Sequence, residues 1–307
     1  MEHYRSLEGF FVERSWLTVG TFDGVHRGHQ RVIQRLVEGA RAAGTISVAL
    51  TFDPHPAALF GRSDIKLLTL PDERAELLGG LGVDVVITHP FNRDVAKMTA
   101  FDFMQRLHSH FRLERFILGY DSTLGKDREG DIPRLTEIGA ELGYTVEVTP
   151  VLSDENGVIS STEIRTLIAA GEMAQAARLL TRPYQLQGVV IRGDQRGRTI
   201  GFPTANLGYS AEKLTPAAGI YACWAYYGSQ RYKAAVNIGI NPTFTPDRSS
   251  LSVEAYLLDF DRDIYDETLR LEFIVRLRDE LKYNSAEALT AQIQDDVEQT
   301  REALGTI

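Results

Sequence analysis

The sequence has little cysteine, fewer basic than acidic residues, and no long apolar run. Its 307 residues include one cysteine, Cys223, which excludes a disulfide framework within the chain and a zinc site built from several cysteines. No apolar stretch approaches the roughly 18 residues that a membrane-spanning helix needs, and the N-terminus lacks the pattern of a signal peptide. We therefore expect a cytoplasmic protein with no role in a membrane.

The charge balance argues against nucleic acid as a partner. The chain has 33 basic and 42 acidic residues, a formal net charge of -9, whereas binding to a nucleic-acid backbone calls for a broad basic face. Small anions need only a local group of hydrogen-bond donors, so they remain open as ligands. The apolar share of 43% is that of a globular protein, and the length suffices for two domains. A homo-oligomer is left open.

The first 180 residues alternate strand-like and helix-like stretches. The strand-like segments are 16–22, 46–52, 84–89, 114–119 and 144–150, and the helical patterns run from 29 to about 44, 71–82, 99–111 and 132–143. Alternation with short links predicts a doubly wound parallel sheet, an α/β domain with helices on both faces. Two short helices, at about 162–171 and 173–180, follow as a connector.

After Pro183 the pattern becomes that of an all-β domain. Turn residues separate five strand-like segments, at 184–193, 219–228, 231–240, 251–260 and 269–278, and only 285–304 is helical in pattern. In the last segment Leu269, Leu271, Phe273, Val275 and Leu277 alternate, which places all five on one side. These features predict a small antiparallel β-barrel with a C-terminal helix. The predicted domains are 1–182 and 183–307.

The segment VGTFDGVHRGHQ (19–30) is the first candidate site. It leads from the first strand into a helix, the usual position for a phosphate in a doubly wound sheet. Gly20, Gly24 and Gly28 let the backbone approach a ligand, and a helix N-terminus favours an anion. His26 and His29 are three residues apart, so they can share one face and donate hydrogen bonds to a phosphate. A pair of surface histidines is the alternative, which the strand–glycine–helix context disfavours.

The segment IRGDQRGRTIGFPTAN (191–206) is the second candidate site. Its glycines permit a tight loop whose N–H groups face an anion. Thr204 and Asn206 alternate, so both project to one side of an extended segment and offer neutral oxygens suited to Mg²⁺. Glu254 is the candidate carboxylate base. Taken alone, such a loop is more often a surface hairpin than a phosphate-binding loop, and a glutamate on a strand more often lies on a solvated face.

The segment FDGVHRGHQ resembles the His-x-Gly-His signature of the nucleotidylyltransferase superfamily. Together with TFDPHP (51–56) and ISSTEIR (159–165), it resembles the prokaryotic bifunctional riboflavin kinase/FAD synthetase family, whose N-terminal domain transfers AMP from ATP to FMN. The resemblance implies that His26 and His29 bind the ATP phosphates and stabilise the transition state. It implies that Ser161, Thr162 and Arg165 hold the β- and γ-phosphates. It further implies a set of residues that bind nucleotide or flavin: Gly20, Phe22, Asp23, Gly24, His55 and Asp121.

The second candidate site, with NIGINPTF (237–244) and RLRDE (276–280), resembles the riboflavin kinase module of the same family. That module phosphorylates the ribityl 5′-hydroxyl of riboflavin with ATP and Mg²⁺. The resemblance implies that Thr204 and Asn206 hold Mg²⁺, that Glu254 is the general base, and that Arg278 covers the flavin side. It implies a loop around the ATP phosphates, with Gly193, Gly197, Arg198, Gly201 and Pro203. ATP, riboflavin, FMN and FAD are thus the expected substrates and products.

One departure from the family pattern qualifies the first activity. Relatives carry two aromatic residues after the fourth strand, where this chain has Ser122 and Leu124. Because stacking on an aromatic face contributes about 0.5–1.5 kcal/mol beyond burial, we expect weaker FMN binding at the first site unless Phe60 or Tyr120 compensates. A riboflavin kinase with a slow or retuned adenylyltransferase domain is therefore an alternative. A flavin-sensing protein without turnover is another.

Overall fold

The computed structural model describes residues 1–61, 64–154, 157–193, 201–240 and 251–305. The chain divides into two compact units, Met1–Ser161 and Thr162–Ile307. The domain boundary near residue 182 stays a prediction. Of the predicted site residues, Gly197 and Arg198 lie outside the described residues, as does 241–244 of the NIGINPTF segment.

The first unit is built on a parallel sheet, as predicted, with six strands where the sequence indicated five, because Glu2–Tyr4 adds an edge strand. Its strands are β1 (Glu2–Tyr4), β2 (Ser15–Val19), β3 (Ile46–Asp53), β4 (Val85–Pro90), β5 (Leu113–Gly119) and β6 (Thr145–Thr149), in the order β1-β4-β3-β2-β5-β6. From β2 the chain builds β3 and β4 on one side, then returns to place β5 on the other. The strand order therefore reverses between β2 and β5, and a crevice at the carboxyl ends of these strands is where such sheets bind ligands.

Helices cover both faces of this sheet, which confirms the doubly wound architecture. They are α1 (Arg27–Ala43), α2 (Pro56–Leu59), α3 (Pro71–Gly80), α4 (Arg93–Lys97), α5 (Ala100–Phe111) and α6 (Ile132–Leu142). Residues of α1 and α3 share one core with Trp16, Ala49 and Val86. Residues of α5 and α6 share a second core with Leu17 and Leu50. Successive strand residues thus point into opposite cores, as the period of two requires.

The second unit is a closed antiparallel barrel, also as predicted, with six strands where the sequence indicated five, because Ala205–Gly208 forms a further strand. It contains α7 (which begins at Ser161 and continues to Ala170), α8 (Met173–Leu180) and the C-terminal helix α9 (Ala286–Gly305). A short hairpin precedes α7, in which the two-residue strands β7 (Ser153–Asp154) and β8 (Gly157–Val158) pair. The barrel strands are β9 (Tyr184–Ile191), β10 (Ala205–Gly208), β11 (Gly219–Tyr227), β12 (Gln230–Ile240), β13 (Leu251–Leu257) and β14 (Thr268–Arg278), in the closed order β10-β13-β12-β11-β14-β9. The strand β10 lies in the second candidate site.

A bulge in β14 overturns the prediction that its apolar residues share one side. Cys223 pairs with Phe273 and Ala222 pairs with Val275, so Ile274 is an extra residue on β14. Such an insertion reverses the faces beyond it. Leu269, Leu271 and Phe273 are fully buried, whereas Val275 and Leu277 pack with Trp224 and with Leu304 of α9. Because of this change of face, Val275 and Leu277 form part of the surface on which the C-terminal helix packs.

Trp16, at the start of β2, packs tightly against α1. The ring is 7% exposed, and the guanidinium groups of Arg35 and Arg115 lie 5.2 and 4.7 Å from its centroid. Both arginines pair with Glu147 of β6. The remaining contact is Gly39 of α1, where an added Cβ would lie 1.8 Å from the tryptophan ring. The indole therefore occupies space that only glycine leaves open.

We predict that Gly39→Ala destabilises the first unit although alanine is the better helix former. The clash with Trp16 should lower the free energy of unfolding by about 2 kcal/mol, the usual cost of overpacking. Gly80→Ala is the control, because a Cβ at Gly80 has no atom within 4 Å, and it should be neutral or stabilise by up to about 1 kcal/mol. Urea unfolding of both variants measures the difference, and equal shifts would contradict this packing.

Candidate active sites

The loop after β2, residues 20–26, is held in an uncommon backbone conformation. Phe22, Gly24 and Val25 have φ values of 47°, 83° and 43°, so two residues with side chains occupy the left-handed region. Both of these side chains are buried, at 3% and 1% exposure, and the Val25 N–H donates to the Phe22 carbonyl at 2.9 Å. Conformations of this kind persist only where surrounding contacts enforce them, and they concentrate at functional sites.

Asp23 supplies much of that enforcement. Its carboxylate is fully buried and accepts hydrogen bonds from the Leu68 N–H at 3.1 Å and from the N–H and hydroxyl of Thr69 at 2.9 and 3.1 Å. The same threonine hydroxyl accepts from the Gly24 N–H at 2.9 Å. The Ser161 hydroxyl, at the end of the first unit, donates to the Asp23 carbonyl at 2.8 Å and adds a further hydrogen bond to the loop. The carboxylate thus shapes the loop, and its contact with a nucleotide stays a prediction.

Arg74 lies under the loop, and sequence reasoning missed it. This α3 residue is 1% exposed, and its guanidinium donates to the Thr21 carbonyl at 2.8 Å and to the Thr51 hydroxyl at 2.9 Å. Burial lowers its pKa, while the nearby carboxylates, chiefly that of Asp23, raise it. An arginine near the start of a surface helix gives no sequence signal that it will be buried, because its environment depends on how α3 packs on the sheet.

His26 and His29 come together, as predicted. Their rings stack with centroids 3.7 Å apart, and the Phe22 ring lies edge-on to His29 at 5.3 Å. Two glycines make room for these rings, since an added Cβ would lie 2.9 Å from Phe22 at Gly20 and 3.1 Å from His26 at Gly28. Burial, then His26, then Arg74 lower the pKa of His29 well below its usual value, so this ring is neutral at pH 7.

The N-terminus of α1 begins beside this histidine pair. No side chain caps it, and no acidic residue stands in its first turn. The first N–H groups of a helix have no partner within the helix, and the helix dipole adds partial positive charge there. Together with the imidazoles, this end of α1 can bind a phosphate without a basic surface.

The other residues predicted for the first site belong to three other parts of the chain. His55 caps α2, because its Nδ1 accepts from the Ala57 N–H at 3.1 Å, which places the ring proton on Nε2 in the neutral form. Asp121 is exposed just beyond β5, the neighbour of β2 at the crevice. Thr162 and Arg165 follow Ser161 in α7, and their roles as phosphate ligands stay predictions.

The second site lies on the outer face of the barrel. In β10, β13 and β12 the residues Asn206, Glu254 and Asn237 stand in register, each beside the next. The Thr204 hydroxyl donates to the Glu254 carboxylate at 3.4 Å. The predicted metal-binding residues and the predicted base therefore occupy one patch, and Asn237 is a member that the prediction did not assign.

A cavity of about 410 Å³ opens over this patch, between the barrel and α9. Thr204, Asn237, Glu254 and Arg278 line its polar side. Arg278 makes a two-point ion pair with the buried Asp296 of α9, with N–O distances of 2.7 and 2.6 Å, and this contact raises the arginine pKa. The predicted flavin-side arginine thus also fixes the helix that forms the opposite wall.

A second cavity, of about 250 Å³, adjoins the other side of Thr204. Pro203 and Thr204 form one wall, and Phe260, Arg262 and Tyr265 are among the residues that form the remainder. Thr204 therefore lines both cavities and forms part of a wall that they share.

Acidic pH should destabilise the folded chain through its buried histidines. His89 at the end of β4 is 5% exposed, and burial, then Arg106, lower its pKa to about 4. Between pH 6.5 and 4 the unfolded chain binds a proton here that the folded chain does not, so stability falls as pH falls, by about 1.4 kcal/mol per pH unit. In urea unfolding from pH 6.5 to 5.0, His89→Gln should reduce the slope by about 1 kcal/mol per pH unit, less than the full value because the unfolded histidine is only half protonated at pH 6.5. A variant slope equal to that of the wild type would contradict the assignment.

Comparisons with known proteins agree with this architecture. A riboflavin kinase family model matches residues 180–304, and an FAD synthetase family model matches residues 11–163. The bifunctional riboflavin kinase/FMN adenylyltransferase of Listeria monocytogenes is 37% identical over 287 residues, 93% of this chain and 91% of that protein. The protein of the same name from Escherichia coli K12 is 35% identical over 292 residues, 94% of this chain and 92% of that protein.

A solved structure resembles the whole chain. It is described as a macrolide-efflux protein from Streptococcus pneumoniae, is 31% identical, and superposes with a TM-score of 0.88 over 97% of this chain and 98% of that one. In the part of the chain that the structure describes, no helix is long and apolar enough to cross a membrane. By the extent and identity of these matches, the chain belongs to the bifunctional riboflavin kinase/FMN adenylyltransferase family.

Proposed function

We propose that this chain makes FAD from riboflavin in two steps at two sites. Riboflavin and ATP give FMN and ADP, and FMN and a second ATP give FAD and pyrophosphate. Family membership and the two matched domains support both activities. The observation that carries the assignment of residues is the presence of two separate groups of side chains, the stacked histidines after β2 and the Glu254 patch on the barrel.

Adenylyl transfer needs no nucleophile from the protein. A phosphate oxygen of FMN attacks the α-phosphorus of ATP, and the bond to pyrophosphate breaks. What the site must supply is alignment and stabilisation of negative charge. We assign this to His26, to the neutral His29 and to the N–H groups at the start of α1. The predicted partners of the leaving pyrophosphate are Ser161, Thr162 and Arg165.

Phosphorylation of riboflavin requires removal of a hydroxyl proton. We assign that proton to the Glu254 carboxylate, while the ribityl 5′-oxygen attacks the γ-phosphorus of ATP and ADP leaves. Thr204 lines both cavities, so ATP in one and riboflavin in the other bring the two reacting groups together beside Thr204 and Glu254. If both substrates bound in one cavity, the position of Thr204 between the two cavities would have no role in the reaction.

The residues of the second site fit Mg²⁺ held jointly with nucleotide. Thr204 and Asn206 offer neutral oxygens, and the Asn206 amide lies so close to Gly193 that an added Cβ there would be 2.3 Å from it. Among the described residues no group of three or more His, Cys, Asp or Glu could hold a metal alone. Bound Mg²⁺ would neutralise phosphate charge, with ATP supplying the remaining ligands. Cytoplasmic location and a homo-oligomeric state stay predictions.

A kinase with a slow adenylyltransferase domain is the second candidate, and the loop after β5 motivates it. Leu124 packs against the core of the first unit, and its backbone exchanges hydrogen bonds with Gly130, so its side chain takes part in the packing of that core. Phe60 and Tyr120 are 68% and 44% exposed. These two aromatic residues are available to contact a flavin, and a role for them is a proposal.

We predict that His26→Ala strongly reduces the rate of FAD formation and spares FMN formation. Loss of one charge-stabilising donor should lower the rate of FMN adenylylation at least about 100-fold, with the riboflavin kinase rate within about twofold of wild type. Each rate is measured separately by chromatography. His108→Ala is the matched control, because His108 lies near the end of α5, at the amino edge of the sheet. Equal loss of both activities in His26→Ala would contradict the separation of sites.

We predict the converse pattern for Glu254→Gln. Without the base, kcat for riboflavin phosphorylation should fall about 100-fold or more, while riboflavin still binds and FMN adenylylation is unchanged. Glu272→Gln is the control, since Glu272 of β14 accepts hydrogen bonds from Gln185 and Tyr226 outside both cavities. An unchanged kinase rate in Glu254→Gln with riboflavin bound would remove this carboxylate from the mechanism.

A further inference from the structure

Two polar atoms of the larger cavity are buried and lack a hydrogen bond within the described part of the chain. The Oδ1 atom of Asn237 and the hydroxyl of Tyr283 are buried, and neither finds a hydrogen-bond partner among the described residues. Both residues line the cavity of about 410 Å³. A buried polar atom without a partner costs about 1–3 kcal/mol, and where such an atom lines a cavity a ligand in that cavity can supply the missing bond.

The chemistry of Asn237 restricts what can satisfy it. An amide oxygen accepts hydrogen bonds and cannot donate them, so the ligand group must carry a proton or be a cation. Phosphate oxygens and flavin carbonyl oxygens are excluded as partners, because they only accept. The hydroxyls of either substrate, the ring N–H of the flavin, the adenine amino group and a metal ion remain.

The register of the barrel favours a hydroxyl. Asn237 stands beside Glu254 on the neighbouring strand, and neighbouring strands lie about 4.8 Å apart. Hydroxyls on nearby carbons of a sugar alcohol chain are separated by a few ångströms. A chain whose terminal hydroxyl faces Glu254 therefore brings one of its next hydroxyls to Asn237, whereas Thr204 and Asn206, the residues assigned to Mg²⁺, lie on the other side of Glu254.

The remaining walls of the cavity fit the rest of such a ligand. Its apolar side chains are Phe202, Ile220, Tyr256, Leu281, Leu289 and Ile293. An aromatic ring system can lie against these residues while an attached polyol follows the polar row. This division between an apolar wall and a polar row matches a molecule that joins a flat ring to a chain of hydroxyls.

We propose that Asn237 determines the specificity of the kinase reaction for the ribityl chain. Its Oδ1 accepts a hydrogen bond from one secondary hydroxyl of riboflavin and thereby positions the 5′-hydroxyl at Glu254. This inference rests on the proposed kinase function and goes beyond it, because it names the substrate group that an otherwise unassigned residue recognises. A site built to bind a hydroxyl discriminates strongly against an analogue that lacks it.

The test compares Asn237→Leu with wild type on riboflavin and on its 2′-, 3′- and 4′-deoxy analogues, in the full-length chain. We expect kcat/KM for riboflavin to fall about tenfold, chiefly through KM, because leucine leaves the substrate hydroxyl unpaired. For one of the three analogues the two enzymes should be equal, because the bond is already absent. Gln187→Leu is the matched control, an exposed amide on β9 outside both cavities, and it should behave as wild type.

Three outcomes would overturn the proposal. One is an equal penalty on riboflavin and on all three analogues, and another is a penalty that high Mg²⁺ removes, which would make Asn237 a metal ligand. The third is a structural role. Leucine removes a buried unpaired oxygen, so the unfolding temperature should stay equal or rise, and a fall in it would contradict the assignment. Wild-type enzyme that makes no FMN would overturn the kinase function itself, whereas active wild type matched by Asn237→Leu would overturn this inference alone.

Discussion

The buried carboxylate of Asp23 is the contact on which the first site depends. It accepts hydrogen bonds from the backbone N–H groups of Leu68 and Thr69. These bonds stabilise a loop in which Phe22 and Val25 have left-handed backbone conformations. That loop places His26 at the start of α1. A buried carboxylate would be costly without these donors and the nearby Arg74 guanidinium, so the loop, the arginine and the histidine pair form one unit.

Both sites handle anionic substrates although the chain carries a net charge of -9. In the proposed assignment the first uses imidazoles and helix N–H groups above a buried arginine that supports the loop, and the second offers neutral oxygens beside one carboxylate. Each of these acts within a few ångströms in a partly dehydrated setting, where local donors count for more than distant surface charge. A basic face is unnecessary, which reconciles the acidic composition with phosphate chemistry at both sites.

The sequence predicted the architecture well because its signals are local. Strand and helix periodicity identified both folds, and the His-x-Gly-His and Pro-Thr-Ala-Asn segments supplied most of the residues that are proposed for the two sites. The sequence indicated that Gly20 and Gly28 let the backbone approach a ligand. In the structure the missing Cβ atoms at these positions also make room for the rings of Phe22 and His26, which the sequence did not indicate. The bulge at Ile274, the burial of Arg74 and the place of Asn237 beside Glu254 depend on strand register and packing between distant segments, which no local pattern encodes.

Product analysis of the wild-type enzyme tests the central claim most directly. Riboflavin, ATP and MgCl₂ are incubated with the chain, and flavins and pyrophosphate are followed over time by chromatography and a coupled assay. The account predicts that FMN appears first and is then converted to FAD with one pyrophosphate released for each FAD formed. Accumulation of FMN with no FAD, or the absence of any phosphorylated flavin, would contradict it.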